Sequence, residues 1–181
     1  LTGILDCDSL KCMLQKYLKT NQISRIVIFS SLSIVLRVLF GPFPNIKPLT
    51  AIFLVCLNYF SLIEGIMIMG ITMIVSGMLF GANLVILWQI ISFCLIQLIW
   101  YLFLQPFFTV KHTSVLFQSL CAGLLAFVYG FIISIMSAIQ LGLHPIIFWI
   151  TGFSFDFLHA ISTFLFYPII LKIIGDYYEK N

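Results

Sequence analysis

Two long stretches of this chain are almost empty of formal charge. Residues 65–110 contain no Asp, Glu, Lys or Arg, and residues 112–171 contain one such residue, Asp156. An element on the surface of a soluble protein keeps a wet face of charged or strongly polar side chains, so neither stretch fits a water-exposed domain. Hydrophobic residues make up 62% of the 181 and charged residues 8%, and the mean hydropathy is +1.17. The expectation is therefore an integral membrane protein.

Crossing the hydrocarbon takes about 20 apolar residues per helix, and turn-forming clusters cut the apolar stretches at about that interval. Gly81-Ala82-Asn83 divides the first stretch and Gly142-Leu143-His144-Pro145 the second, which gives a third, fourth, fifth and sixth span. Upstream, Ile23 to Phe40 forms the first span and Leu49 to Ile63 a short second one. The segment between them carries Pro42, Pro44 and Pro48 and cannot be continuous helix. The fold class expected is all-α, an integral membrane bundle of six transmembrane helices. Basic residues orient it. With the termini inside, Lys11, Lys16, Lys19, Arg25, Lys111, Lys172 and Lys180 are cytoplasmic, against Lys47 in an outer loop and Arg37 within the first span. Both N- and C-termini are thus expected to be cytoplasmic. The chain divides into residues 1–22, an amphipathic or frayed cytoplasmic segment; 23–174, the six-helix transmembrane domain; and 175–181, a cytoplasmic tail. A cleaved signal peptide is not expected, because no small-residue cleavage site leads into a polar mature chain.

Ionisable groups at bilayer depth cost roughly 2.5–3.5 kcal/mol each, so Arg37, Asp156 and His159 require partners. Asp156 and His159 stand three apart and share a helix face, either as a structural hydrogen-bond cluster or as part of a ligand pocket. Arg37 either reaches outward to the interface or forms an ion pair with Asp156 or with an anionic ligand group. Lys47, between Pro44 and Pro48, is a cation on a stiff backbone, at a pocket mouth or as an interfacial anchor. Trp88, with Gln89 beside it, and Trp149 lie at one outer level, as an aromatic belt or as the wall of a flat ligand site. Small residues cluster on the first span (Ser30, Ser31, Ser33), the third (Gly70, Ser76, Gly77) and the fifth (Ala122, Gly123, Ala126, Gly130). They permit close helix packing, within the chain or against a partner.

Several chemistries are unsupported. Five cysteines without a C-x-x-C read as buried small hydrophobes, and Asp156 with His159 lacks the further ligands a metal site needs. No metal, no cofactor and no catalytic residue is expected. There is no nucleophile elbow, zinc-protease motif or phosphate loop, so any ATP must be handled by another chain. The net charge of +3 is small, and the basic residues flank spans instead of forming a nucleic-acid-binding face.

Three stretches together resemble a known family. Pro44-Asn45-Ile46-Lys47-Pro48-Leu49-Thr50, the Gly81 turn leading to Trp88-Gln89, and Phe155-Asp156-Phe157-Leu158-His159-Ala160-Ile161-Ser162-Thr163 are similar to the substrate-binding S-components of energy-coupling-factor (ECF) transporters. The resemblance implies a bacterial, multi-pass cell-membrane protein. Its residues 23–174 would form the substrate-binding domain, taking up a vitamin or similar micronutrient from outside without catalysing a reaction. It also implies two kinds of partner, a membrane coupling subunit and two cytoplasmic ATPase subunits. By position, the substrate-binding residues implied are Asn45, Lys47, Asn83, Trp88, Gln89, Trp149, Asp156 and His159. The family's docking helix carries an Ala-x-x-x-Ala motif, where this chain has Ser30, Ser31 and Ser33 without that spacing. The Pro-Asn-x-Lys-Pro group is most similar to cobalamin-type members. Two other classes stay open on the residues alone: an intramembrane enzyme using Asp156 and His159, and a non-catalytic membrane assembly subunit.

Overall fold

The computed structural model describes residues 20–179, and what was expected for residues 1–19 lies outside them. The described residues are helical apart from short connections: α1 (Thr20–Leu39), α2 (Leu49–Tyr59), α3 (Leu62–Phe80), α4 (Leu84–Ile99), a π-helical turn (Trp100–Leu104), α5 (Gln105–Lys111), α6 (Val115–Leu141) and α7 (Pro145–Glu179). The segment Leu84–Lys111 acts as one rod. Among the described residues, five helical segments are long and apolar enough to cross a membrane.

The expected second span is different in kind. It ends at Tyr59 and not at Ile63, because Ser61 and Glu64 form a capping box that starts α3. Phe60 is extended between the two helices. The eleven residues of α2 reach about 16 Å, against about 30 Å of hydrocarbon. Every residue from Leu49 to Leu57 is buried, and α2 touches all five longer segments. It is the core of the bundle, with the others packed around it.

Connections follow local chemistry. Gly142 ends α6 in the left-handed conformation (φ 67°), and the Leu143 N–H reaches back to the Ala138 carbonyl at 2.9 Å, a glycine-terminated helix end. The 35 residues of α7 extend about 52 Å, so α7 runs past α2 at both ends. The stretch expected to be a tail from Gly175 is the last part of this helix, through Glu179.

Small residues on α6 serve the chain itself. A Cβ at Gly123 would lie 3.0 Å from the Ala160 carbonyl oxygen of α7, and Ala122 and Ala126 are fully buried. On α1, Ser30 and Ser33 are buried within the bundle, and of the three serines expected to dock a partner Ser31 alone is exposed. Ser30 uses its hydroxyl on the Ile26 carbonyl at 2.6 Å. The docking expectation fails for Ser30 and Ser33, because their face of α1 turns inward and α1 packs mainly on α3.

Several polar groups inside the bundle are paired in chains, although Ser33 Oγ, Gln97 Oε1 and Thr113 Oγ1 are buried without a partner among the described residues. At the far end of α2, the Trp100 indole donates to Asn58 Oδ1 (3.2 Å), the Asn58 amide donates to the Tyr167 hydroxyl (3.0 Å), and that hydroxyl donates to Gln118 Oε1 (3.1 Å). Nearby, Arg25 and Glu64 form an ion pair at 2.6 Å. Within lipid, packing replaces the hydrophobic effect as the source of cohesion. Phe53 on α2 is fully buried, with Phe93 edge-on at 5.1 Å, whereas Phe103 is exposed on the bundle's outer surface. Phe53→Ala should therefore cost about 2 kcal/mol or more from the cavity alone, and Phe103→Ala almost nothing. Thermal unfolding in detergent measures both, and equal losses would contradict the central position of α2.

Candidate ligand-binding site

The first loop, residues 40–48, does not lie across the top of the bundle. Its residue Asn45 meets His159, fourteen positions into α7 from Pro145, roughly 21 Å along that helix. The loop dips between helices, and irregular backbone at such depth persists when protein groups satisfy it. Here α7 does so: the Asn45 carbonyl accepts from His159 Nδ1 at 3.1 Å, and the Lys47 carbonyl accepts from the Ser162 hydroxyl at 3.3 Å. Asn45 adopts a left-handed conformation (φ 57°), which asparagine tolerates better than most residues.

With the carbonyl on Nδ1, that nitrogen carries the proton. Nε2, 2.9 Å from the Thr50 hydroxyl of α2, is then the acceptor in the neutral ring. His159 thus fastens the first loop and α2 to α7, and its ring lies 5.4 Å from that of Tyr129 on α6.

Below this fastening is a cavity of about 70 Å³, lined by Asn45, Lys47 and Leu49, by Arg37, Met73, Gln89 and Phe93, and by Tyr129, Gly130, Asp156 and His159. Arg37 is buried and donates to the Ser76 hydroxyl (2.7 Å), Gln89 Oε1 (2.9 Å) and the Met73 sulfur (3.1 Å). All three acceptors are neutral. The Asp156 carboxylate accepts from the Trp149 indole at 3.1 Å and fills the space where a Cβ on Gly130 would be. Lys47 is half-buried in the loop. Burial, with repulsion from Arg37 second, holds its ammonium below the usual lysine range.

Sequence-predicted residues separate into two groups. Asn45, Lys47, Gln89, Asp156 and His159 line one cavity, and Trp149 touches it through Asp156. Asn83 is exposed at the start of α4. Trp88 is turned away, donating to Gln140 on α6 at 2.6 Å, so it braces α4 against α6. Arg37 and Asp156 share the cavity, yet the expected ion pair between them is not made. Among the described residues the one ion pair is Arg25–Glu64. Met73, Ser76, Thr50, Tyr129 and Gly130 were not singled out for this site. Gly130 belongs to the small-residue run on α6, and Thr50 closes the loop motif, but nothing in the sequence links either to α7.

A larger groove of about 690 Å³ separates α1 from α7. Its walls are mainly aliphatic and aromatic, and its cation, Arg25, is already paired with Glu64. A third cavity, of about 570 Å³, at the other end of α7 carries Gln118, Lys172 and Asp176, whereas the smaller cavity gathers buried Arg37, Asp156 and His159. Comparison with protein-family models, with curated proteins and with solved structures gives no match. Architecture and composition define a multi-pass, all-helical membrane protein.

Gly130→Ala should push the Asp156 carboxylate off the Trp149 indole and cost about 1–3 kcal/mol. In an Asp156→Ala background the same change should cost much less. Unfolding followed by tryptophan fluorescence would show this coupling, and strictly additive losses would argue that the two positions do not meet.

Proposed function

We propose that this chain is the substrate-binding subunit of an ECF-type micronutrient importer of a bacterial cell membrane. The observation that carries the reading is that Asn45, Lys47, Gln89, Asp156 and His159, drawn from the three stretches that bear the resemblance, share one polar cavity. In this reading the chain passes the membrane six times, the descending first loop and α2 together making the second pass. The first loop opens outward and both termini are cytoplasmic. Arg25, Lys111 and Lys172 then fall on the cytoplasmic side.

Binding and release are separate physical tasks. The cavity supplies orienting polar groups, while release requires a partner that stabilises a second state of the bundle. The chain carries no phosphate-cradling motif, so the reading assigns energy to ATPase partners acting through a membrane coupling subunit. Enzymatic use of Asp156 and His159 fits less well. Both His159 nitrogens are engaged by Asn45 and Thr50, and Asp156 is held by Trp149. Cobalamin is the substrate implied by the resemblance. At about 70 Å³ the cavity is below the roughly 300–1,000 Å³ of sites for drug-sized ligands, so a corrinoid requires the first loop to swing away from His159 and Ser162.

Detergent-purified protein should be stabilised by one member of a vitamin panel that includes cobalamin, without ATP. His159→Ala should weaken that ligand about tenfold or more, about 1.4 kcal/mol. Trp88→Ala, which loosens α4 from α6, should change affinity little. Absence of any stabilising vitamin, together with no co-purifying ATPase, would remove the importer reading.

A further inference from the structure

We infer that the ligand of this cavity presents an oxyanion, a carboxylate or a phosphate, to Lys47 and Arg37; the inference rests on the substrate-binding reading above. The cavity lining carries two cations, Arg37 and Lys47, and one carboxylate, Asp156. His159 adds no charge in the tautomer that its Asn45 and Thr50 contacts select. The lining therefore has an excess of one positive charge in a low-dielectric setting, where an uncompensated cation is costly.

Neither cation is neutralised by the chain. The contacts of Arg37 to Ser76, Gln89 and Met73 use three of its five N–H donors. Two N–H donors remain on a guanidinium, the group that fits an oxyanion best. The Lys47 ammonium makes no hydrogen bond or ion pair among the described residues, although the Lys47 carbonyl is tied to Ser162. Its backbone is confined by Pro48 and that tie, which place the residue at the cavity.

Size selects a group and not a molecule. A cavity of about 70 Å³ is well below sites for drug-sized ligands, roughly 300–1,000 Å³, and suits a carboxylate or a phosphate. Asp156 lines the same cavity, but its carboxylate is held by the Trp149 indole and is paired with neither cation.

The probes are sodium acetate and sodium phosphate, titrated against sodium chloride at matched ionic strength to hold screening constant. Melting temperature of the detergent-purified full chain is the readout. The wild-type protein should show a saturable rise with acetate or phosphate beyond that with chloride. Lys47→Gln should raise the apparent Kd at least tenfold, and Lys47→Arg should retain the response. Lys172→Gln, at the other end of α7, should behave as the wild type. No oxyanion-specific rise, an equal rise in Lys47→Gln, or a rise with phosphatidylglycerol micelles but with neither small anion would overturn the inference. Running the vitamin panel on Lys47→Gln separates it from the importer reading. A neutral vitamin bound equally by wild type and Lys47→Gln overturns the oxyanion inference and leaves the importer reading standing. A Lys47-dependent acetate or phosphate response with no vitamin bound and no co-purifying ATPase supports the oxyanion site and removes the importer.

Discussion

A helix of eleven residues cannot cross a bilayer, and its burial inside five longer segments shapes everything at one end of this molecule. Because α2 begins well below the start of α7, the loop that feeds it must descend between helices to reach Leu49. Descending backbone carries carbonyls into a region without water, and each needs a donor. His159 and Ser162, one turn apart on α7, supply two of them. The same descent brings Lys47 down beside Arg37 and leaves the small polar cavity beneath the loop.

Energetically, the bundle separates apolar packing from polar fastening. Leu49 to Leu57 and the Gly123–Ala160 approach give close contact, which in lipid supplies most of the cohesion. Polar pairs fix register: Asn58 with Trp100 and Tyr167 at the far end of α2, Thr50 with His159 at the near end. The π-helical turn at Trp100–Leu104 lies where this far network meets the fourth segment. Each network pins one end of α2, so motion of the first loop must pass through the Asn45–His159 and Lys47–Ser162 contacts.

Much of the fold was legible because its punctuation is chemical. Gly81-Ala82-Asn83, Gly142 and the three prolines mark breaks that the structure also has, and the charge-free stretches mark what must sit in lipid or in the core. The end of α2 was misplaced because Ser61-Leu62-Ile63-Glu64 is a capping box hidden in an apolar run. For the site, Asn45, Lys47, Gln89, Asp156 and His159 meet at one cavity. Trp88 and Asn83 do not, since being level with a site along the bundle axis does not decide which way a side chain turns. Ser30 and Ser33 illustrate the same limit: small residues permit close packing on either side of a helix, and the choice of neighbour is a matter of tertiary contacts.

The sequence by itself determined that the chain is helical, belongs in a membrane and breaks at Gly81, at Gly142 and across the Pro42–Pro48 loop, although Pro168 lies within α7. These follow from local backbone geometry and from the cost of charge in hydrocarbon, neither of which needs a distant partner. Only the tertiary structure decided that α2 is internal, that Arg37 bonds to Ser76 and Gln89 and not to Asp156, and that Gly130 yields its space to a carboxylate. Those outcomes depend on which helix faces meet. Asn45 and His159 are separated by 114 positions, and no local rule in the chain specifies that they touch.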